Sequence, residues 1–300
     1  MVLLVALATP GARASNAAAA GAEPSLRALE NATYPGIYER PVKLKNGIYL
    51  GKPFVKGSAA RPRVELIQGA VARGTLQGEG SHDAAVLLAE SSGGSGSMVY
   101  LAAMSARQGK AVSIGTARVG DRVQVRSFSI ETGGVVMELV AHAPEDPLCC
   151  PTLKVTSRWE CGRSDSLVEV SRDEHGRVSI QDLEGPTWQM THLDREKPIP
   201  SGATVTAKFA GGTISGTSGC NRYSASVEGS GESEGIRIGP IAGTRMACPE
   251  PMASLESQVL AALAGVQKFS FSVGKLILTY QVENRLGSMI FIARQETKPD

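Results

Sequence analysis

Two short words rich in glycine and cysteine constrain this chain more than any other feature. The first is Ser215-Gly216-Thr217-Ser218-Gly219-Cys220-Asn221-Arg222-Tyr223, and the second is Thr244-Arg245-Met246-Ala247-Cys248-Pro249. Glycine reaches positive-φ backbone that other residues avoid, and asparagine tolerates it next best. The first word therefore reads as a tight, irregular corner between strands that fixes the position of Cys220. The second sets Cys248 just ahead of a proline-punctuated helix start.

The rest of the composition agrees with a strand-rich chain. Its 300 residues suffice for about two domains. Glycine is abundant, at 34 residues, and aromatics are sparse, at 5%. Many short strands joined by turns produce that balance; a helical bundle does not. The net charge is +2, with no long run of either sign, which argues against a dedicated nucleic-acid binder. Met1–Ala8 is apolar, and Ala12-Arg13-Ala14 has the small-x-small form suited to signal peptidase. This predicts a secretory signal and an exported, periplasmic or secreted protein. No other stretch approaches the roughly 18 apolar residues of a membrane span. Cysteines stand at 149, 150, 161, 220 and 248. An odd count in an oxidising compartment leaves one thiol unpaired or paired between chains.

Residues 1–33 read as a signal-like segment and linker, with one possible helical turn around Leu26–Leu29. An N-terminal β-rich domain is expected over 34–172. Asn46-Gly47 between alternating runs signals a hairpin. Val64–Gln68, Ala70–Gln77, Ala84–Glu90 and Met98–Ser105 have strand lengths, Asp121–Ile130 alternates cleanly, and Val135–His142 returns. Pro144–Pro151 reads as a rigid cross-linked region. Leu153–Trp159 is the next strand, and Leu167–Val170 with Arg177–Ile180 reads as a hairpin around Glu174-His175-Gly176. A linker over 173–182 precedes a second domain over 183–297. There Thr187–Leu193 opens a sheet, Thr204–Phe209 and Thr213–Thr217 form a hairpin, and Arg222–Glu228 with Ile236–Ile238 flanks a polar loop. Met252, Leu255, Val259, Leu260 and Leu263 recur at helical period, with Pro251 at the first turn and Gly265 at the end. Three closing strands follow. The predicted fold is mostly β with an α+β C-terminal domain: two domains, antiparallel sheets, and one main helix packed on the second sheet.

The two words, over roughly Leu183–Ala293, resemble the META domain, also called HslJ-like, of bacterial envelope proteins. The residues that carry the resemblance are Gly216, Gly219, Cys220, Asn221, Arg222, Thr244, Arg245, Met246, Cys248 and Pro249. It implies a role in stress or envelope integrity and leaves the molecular mechanism open. Cys220 and Cys248 are the only cysteines of that domain and stand in its two most distinctive words, so a disulfide between them is expected. Asp83–Leu88, Gly120–Val123 and Asp146–Thr152 are similar to words of LppP/LprE-type envelope lipoproteins, over about Tyr34–Val170. In that domain Cys161 is expected to pair with Cys150 or Cys149; a vicinal Cys149–Cys150 bond is the alternative.

Several chemical readings compete. The four histidines, His82, His142, His175 and His192, lie in no hydrolase signature and read as solvated surface residues. A zinc site from His142, Cys149, Cys150 and Cys161 lacks knuckle spacing, and disulfide bonding is the simpler fate. Cys220 or Cys248 could serve as a nucleophile, Cys248 with help from the following helix, but a structural pair is simpler. Asn221 reads as a satisfier of backbone groups in its corner, and Trp188 as core. Asp121 and Asp146 lack a calcium loop and read as turn and surface residues. Ser91–Gly96 lacks the GK[ST] ending of a phosphate loop. No catalytic residue, cofactor or metal is therefore expected. The predicted function is binding of an envelope protein or surface polymer through strand edges and loops, without nucleic acid and without a transmembrane span. The alternatives are a secreted inhibitor of a protease or cell-wall hydrolase, presenting Glu228–Glu234 or Pro144–Pro151, and a thiol-dependent enzyme using Cys220 or Cys248.

Overall fold

A computed structural model describes residues 23–58, 60–78, 80–93, 96–162, 166–194, 197–229 and 234–294. The signal-like word Met1–Ala14 and the centre of the polar loop, 230–233, lie outside them. The N-terminal half begins with a short helix, α1 (Leu26–Glu30), and the strands β1 (Thr33–Tyr34) and β2 (Val42–Lys43). An antiparallel meander follows: β3 (Ile48–Leu50), β4 (Arg63–Gly74), β5 (Asp83–Ser91), β6 (Met98–Arg107) and β7 (Lys110–Asp121). A second meander contains β8 (Gln124–Glu131), β9 (Gly134–Ala141), β10 (Leu153–Cys161) and β11 (Leu167–Arg177).

The central strands of the five-stranded sheet, β5 and β6, are buried on both faces. Successive side chains of a strand point to opposite sides. In β5, Ala84, Val86 and Leu88 join a core beneath α1, β1 and β2, while Ala85 and Leu87 join a core shared with the second meander. That is why β5 begins as an unbroken buried run rather than an alternation.

The secondary structure departs from the sequence reading at three places in this half. Residues 23–33 are structural: Ser25 caps α1 by accepting from Ala28 N (3.1 Å), and Leu29 is fully buried. Asn46 and Gly47 make the expected hairpin turn, both with positive φ and with Lys45 and Ile48 bonded across it, before β2 pairs with β1 and β3 with β4. Val64–Gln68 and Ala70–Gln77 merge into one bulged strand, with Leu66 opposite Leu88 and Val71 opposite Val86. The expected hairpin around Glu174–Gly176 is replaced by the single strand β11, which also takes in the first part of the linker expected at 173–182. Its partner β10 runs alongside to Arg177, and a bulge sets His175 and Gly176 against Lys154 alone, so the glycine signal marks a bulge rather than a turn.

The C-terminal half opens with a 3-10 turn, Ile180–Leu183, and continues with β12 (Thr187–Leu193), β13 (Thr204–Ala210), β14 (Thr213–Gly219), β15 (Arg222–Gly229), β16 (Ile236–Ile238) and β17 (Ala242–Gly243). Helix α2 (Met252–Ala264) precedes β18 (Val266–Ser272), β19 (Lys275–Val282) and β20 (Arg285–Arg294). The sheet order is β16-β15-β14-β13-β12-β20-β19-β18, with β17 beside β15. An antiparallel bridge between Gly235 and Lys268, with Phe269 N donating to Glu234 O (2.9 Å), brings the two ends together and curls the sheet into a barrel. Leu255, Val259, Ala262 and Leu263 of α2 enter the same core as Phe269, Leu276, Met289 and Phe291. Met252 and Leu260 pack at its margin.

The halves meet through main chain. Val273 N and Gly274 N, at the β18–β19 turn, donate to Val125 O (2.6 Å) and Arg126 O (2.7 Å) of β8. Arg126 lies 4.6 Å from the Phe271 ring centroid and pairs with Asp182 (2.9 Å), which also pairs with Lys154 (3.1 Å). Burial pushes the Asp182 carboxyl up, but the hydrogen bond from Ser179 N and the two cations outweigh it and hold the group below the usual range.

Leu255 fills the first turn of α2 beneath the corner, and a Cβ on Gly219 would stand 3.1 Å from its Cδ2. Leu255→Ala leaves a cavity there and is expected to cost about 2–5 kcal/mol. Urea unfolding of the two chains measures it; a loss well under about 1 kcal/mol would mean that the helix is loosely docked.

Candidate functional site

The two words meet at one corner of the C-terminal barrel. Gly216 lets β14 approach β13 closely, since a Cβ there would stand 1.9 Å from Thr206 O. Gly219 ends β14 at φ +110°, a conformation that side chains resist. The chain then turns through Cys220 into Asn221, whose side chain is only 4% exposed as part of a buried residue.

Asn221 uses every hydrogen-bonding position it has. Its amide nitrogen donates to Met246 O (3.1 Å) and Glu256 Oε2 (3.0 Å), with Cys248 Sγ 3.4 Å away. Its Oδ1 accepts from Thr244 Oγ1 (2.7 Å) and Met246 N (2.9 Å). Arg222 N donates to Thr244 Oγ1 (3.1 Å), and Thr244 N donates to Arg222 O (3.0 Å). One amide thus holds the corner, the loop of the second word and the first turns of α2. Pro249 O continues the chain into the helix by accepting from Met252 N (2.9 Å). Arg222, Arg245 and Met246 point their side chains into exposed positions.

Cys220 and Cys248 are disulfide-bonded, with Cα atoms 6.2 Å apart. Glu256 stands beside them, its Oε2 3.5 Å from Cys248 Sγ and its Oε1 3.1 Å from the hydroxyl of fully buried Ser218. One ligand-capable atom from each of Cys220, Cys248 and Glu256 falls within 4.8 Å of the others. Tyr223 closes the floor by donating to Thr206 O (2.9 Å), and burial raises its phenol far above the usual range. Ser218 and Glu256 were not singled out in the sequence. The signal available was the helical spacing that sets Glu256 one residue after Leu255, at the edge of the buried stripe.

In the N-terminal half the cysteine pairing differs from expectation. Cys149 is bonded to Cys150, and Cys161 is free; burial raises its thiol. Cys161 ends β10 opposite Leu167, at the far end of the strand from Leu153, so an extended run separates it from the vicinal pair. Asp146 is not a surface residue: its side chain is 4% exposed and accepts from Ala143 N (2.9 Å), Thr152 N (2.7 Å) and Thr152 Oγ1 (2.8 Å), with Arg177 at 3.0 Å. Burial pushes its carboxyl up, and those hydrogen bonds bring it below the usual range. Trp188 is core, donating to Leu183 O (2.9 Å). His82 and His175 are exposed, and His142 and His192 are half-buried on other elements.

Residues 181–291 match the META domain. The matched segment runs from the 3-10 turn through most of β20, so both words and α2 lie inside the META domain. An NMR structure of a protein from Burkholderia xenovorans aligns with 39% of this chain and 86% of its own, at 23% identity and a TM-score of 0.32. No curated protein matches the chain. Among the described residues, no helix is long and apolar enough to cross a membrane.

The disulfide closes a loop of 28 residues across the META corner. Replacing both cysteines by serine is expected to cost about 3–4 kcal/mol through the unfolded chain's regained freedom. Urea unfolding under oxidising conditions checks this; equal midpoints would show that the bond contributes no stability.

Proposed function

We propose that this is an exported, non-catalytic binding module of the cell envelope, linked to stress or envelope integrity, that engages another protein through its N-terminal half. The observation that carries the reading is the exposed apolar run at the end of the edge strand β3. Within its sheet β3 pairs with β4 alone, Ile48 exchanges main-chain hydrogen bonds with Lys45 on the other side, and apolar side chains stand exposed from the end of the strand onward: Leu50 at 54%, Phe54 at 62% and Val55 at 68%. Apolar side chains exposed together at the margin of a sheet mark a surface that a partner protein covers. Export rests on the signal-like N-terminus and on cysteines that pair as they do in oxidising compartments. The resemblance of about Tyr34–Val170 to LppP/LprE-type lipoproteins points to the same compartment, periplasmic or secreted. The absence of a catalytic role rests on the META words themselves, whose Asn221 is spent on holding backbone.

The inhibitor reading has one observation of its own. Leu148 is 77% exposed beside the vicinal Cys149–Cys150 bond, on a loop held by Asp146 and by Arg122, which donates to Leu148 O (2.7 Å). Such a loop could fill a hydrolase cleft. The two readings separate by experiment. The mature chain is used as bait in envelope extract, beside a Phe54→Asp/Val55→Asp variant. Both positions are exposed, so stability is expected to stay within about 0.5 kcal/mol. Recovery of the partner should fall at least about tenfold, the effect of losing about 1.4 kcal/mol of binding. Undiminished recovery would contradict docking at β3, and its loss in Leu148→Asp instead would favour the inhibitor.

A further inference from the structure

We infer that reduction of Cys220–Cys248 converts the META corner into a binding site for a soft divalent cation such as Zn2+, with Cys220, Cys248 and Glu256 as ligands. The inference stands apart from docking at β3, since the two use different halves of the chain.

Three observations carry it. First, the three ligand atoms lie within 4.8 Å of one another, and one pair already has the spacing of a tetrahedral site. With Zn–S at about 2.3 Å and Zn–O at about 2.1 Å, ligand sulfur and oxygen stand about 3.6 Å apart across the metal, and two sulfurs about 3.8 Å. Glu256 Oε2 lies 3.5 Å from Cys248 Sγ. The Cα separation of 6.2 Å leaves the two sulfurs free to open by side-chain rotation once the bond is broken. Second, the ligands are held by partners other than the disulfide. Asn221 ties the Cys220 corner to Met246, next but one to Cys248, and also to Glu256 Oε2, while Ser218 holds Glu256 Oε1. Hydrogen bonds of this kind orient metal ligands and sharpen affinity. Third, all three ligand residues are half-buried, so an ion can reach them from solvent while the floor beneath is closed by Ser218 and Asn221.

The chemistry balances with a dithiol reductant. Its two thiols pass two electrons and two protons to the S–S bond, becoming a disulfide and leaving Cys220 and Cys248 as thiols. Zn2+ then displaces both thiol protons to solvent and accepts the two thiolates and the Glu256 carboxylate, leaving a fourth position for water. Affinity therefore rises with pH and vanishes on oxidation.

The test uses the full mature chain carrying Cys149→Ser, Cys150→Ser and Cys161→Ser, so that only the META pair remains. The protein is reduced with a non-thiol phosphine and titrated with Zn2+ against a chromophoric chelator, and with Co2+ to read thiolate-to-metal absorption. Near-ultraviolet circular dichroism confirms folding. The expected result is one Zn2+ per reduced chain, none per oxidised chain, and thiolate-to-cobalt absorption. Glu256→Gln, which keeps shape and folding, should weaken Zn2+ by about ten- to hundredfold, the scale on which single partners tune metal sites. A folded reduced chain that takes up no Zn2+, a Glu256→Gln variant with unchanged affinity, or equal uptake by the oxidised chain would each overturn the site.

Discussion

The corner of the META domain depends on one buried amide. Asn221 meets four hydrogen-bonding groups drawn from two other pieces of chain: Thr244 and both main-chain groups of Met246 in one loop, and Glu256 on α2. A buried polar group left without partners costs about 1–3 kcal/mol, so the Asn221 amide, in a residue only 4% exposed, depends on all four. The two glycines that precede it shape the same corner. Gly219 turns the chain so that Asn221 faces inward, and Gly216 lets β14 lie against Thr206 O, the same carbonyl that receives the Tyr223 hydroxyl. The disulfide adds a covalent restraint to an arrangement that the amide already defines.

The remainder of the molecule hangs on burial from two sides. The sheet of β3 to β7 separates two apolar cores, which explains its run of small and branched side chains in β5 and β6. The second meander covers one face and also offers β8 to the META hairpin at Val273–Gly274. Charge is used sparingly at that seam. Asp182 gathers Arg126 and Lys154, and Gln124 bonds both Phe271 N (2.7 Å) and the carboxylate of Glu234. Burial raises the Glu234 carboxyl, partly offset by Lys268 and by Gln124.

What was legible in the sequence was local and periodic. The alternation of Asp121–Ile130, the period of Leu255, Val259 and Leu263, and the two META words each carry their own pattern, and each has a counterpart in the structure. What was not legible depended on neighbours far along the chain. Glu174–Gly176 has the composition of a turn, yet β10 supplies a partner on one side and the glycine becomes a bulge. The helical turn at Leu26–Leu29 was visible, but its place in the core was not, because that depends on the cover it gives to β5. Asp146 looked like a turn residue because its partners Thr152 and Arg177 come together through β10 and β11. Glu256 went unnoticed because its role is defined by Asn221 and Ser218, more than thirty residues earlier.

The most direct measurement of the Asn221 account is native-state hydrogen exchange at the Met246 amide, whose proton is given to Asn221 Oδ1. In the wild-type chain that amide should remain protected after Cys220–Cys248 is reduced. In Asn221→Ala it should exchange at least about tenfold faster with the disulfide intact, the effect of losing one hydrogen bond of about 1.4 kcal/mol. Protection that survives in Asn221→Ala, or that disappears in the wild-type chain on reduction alone, would show that the disulfide and not the amide holds the corner.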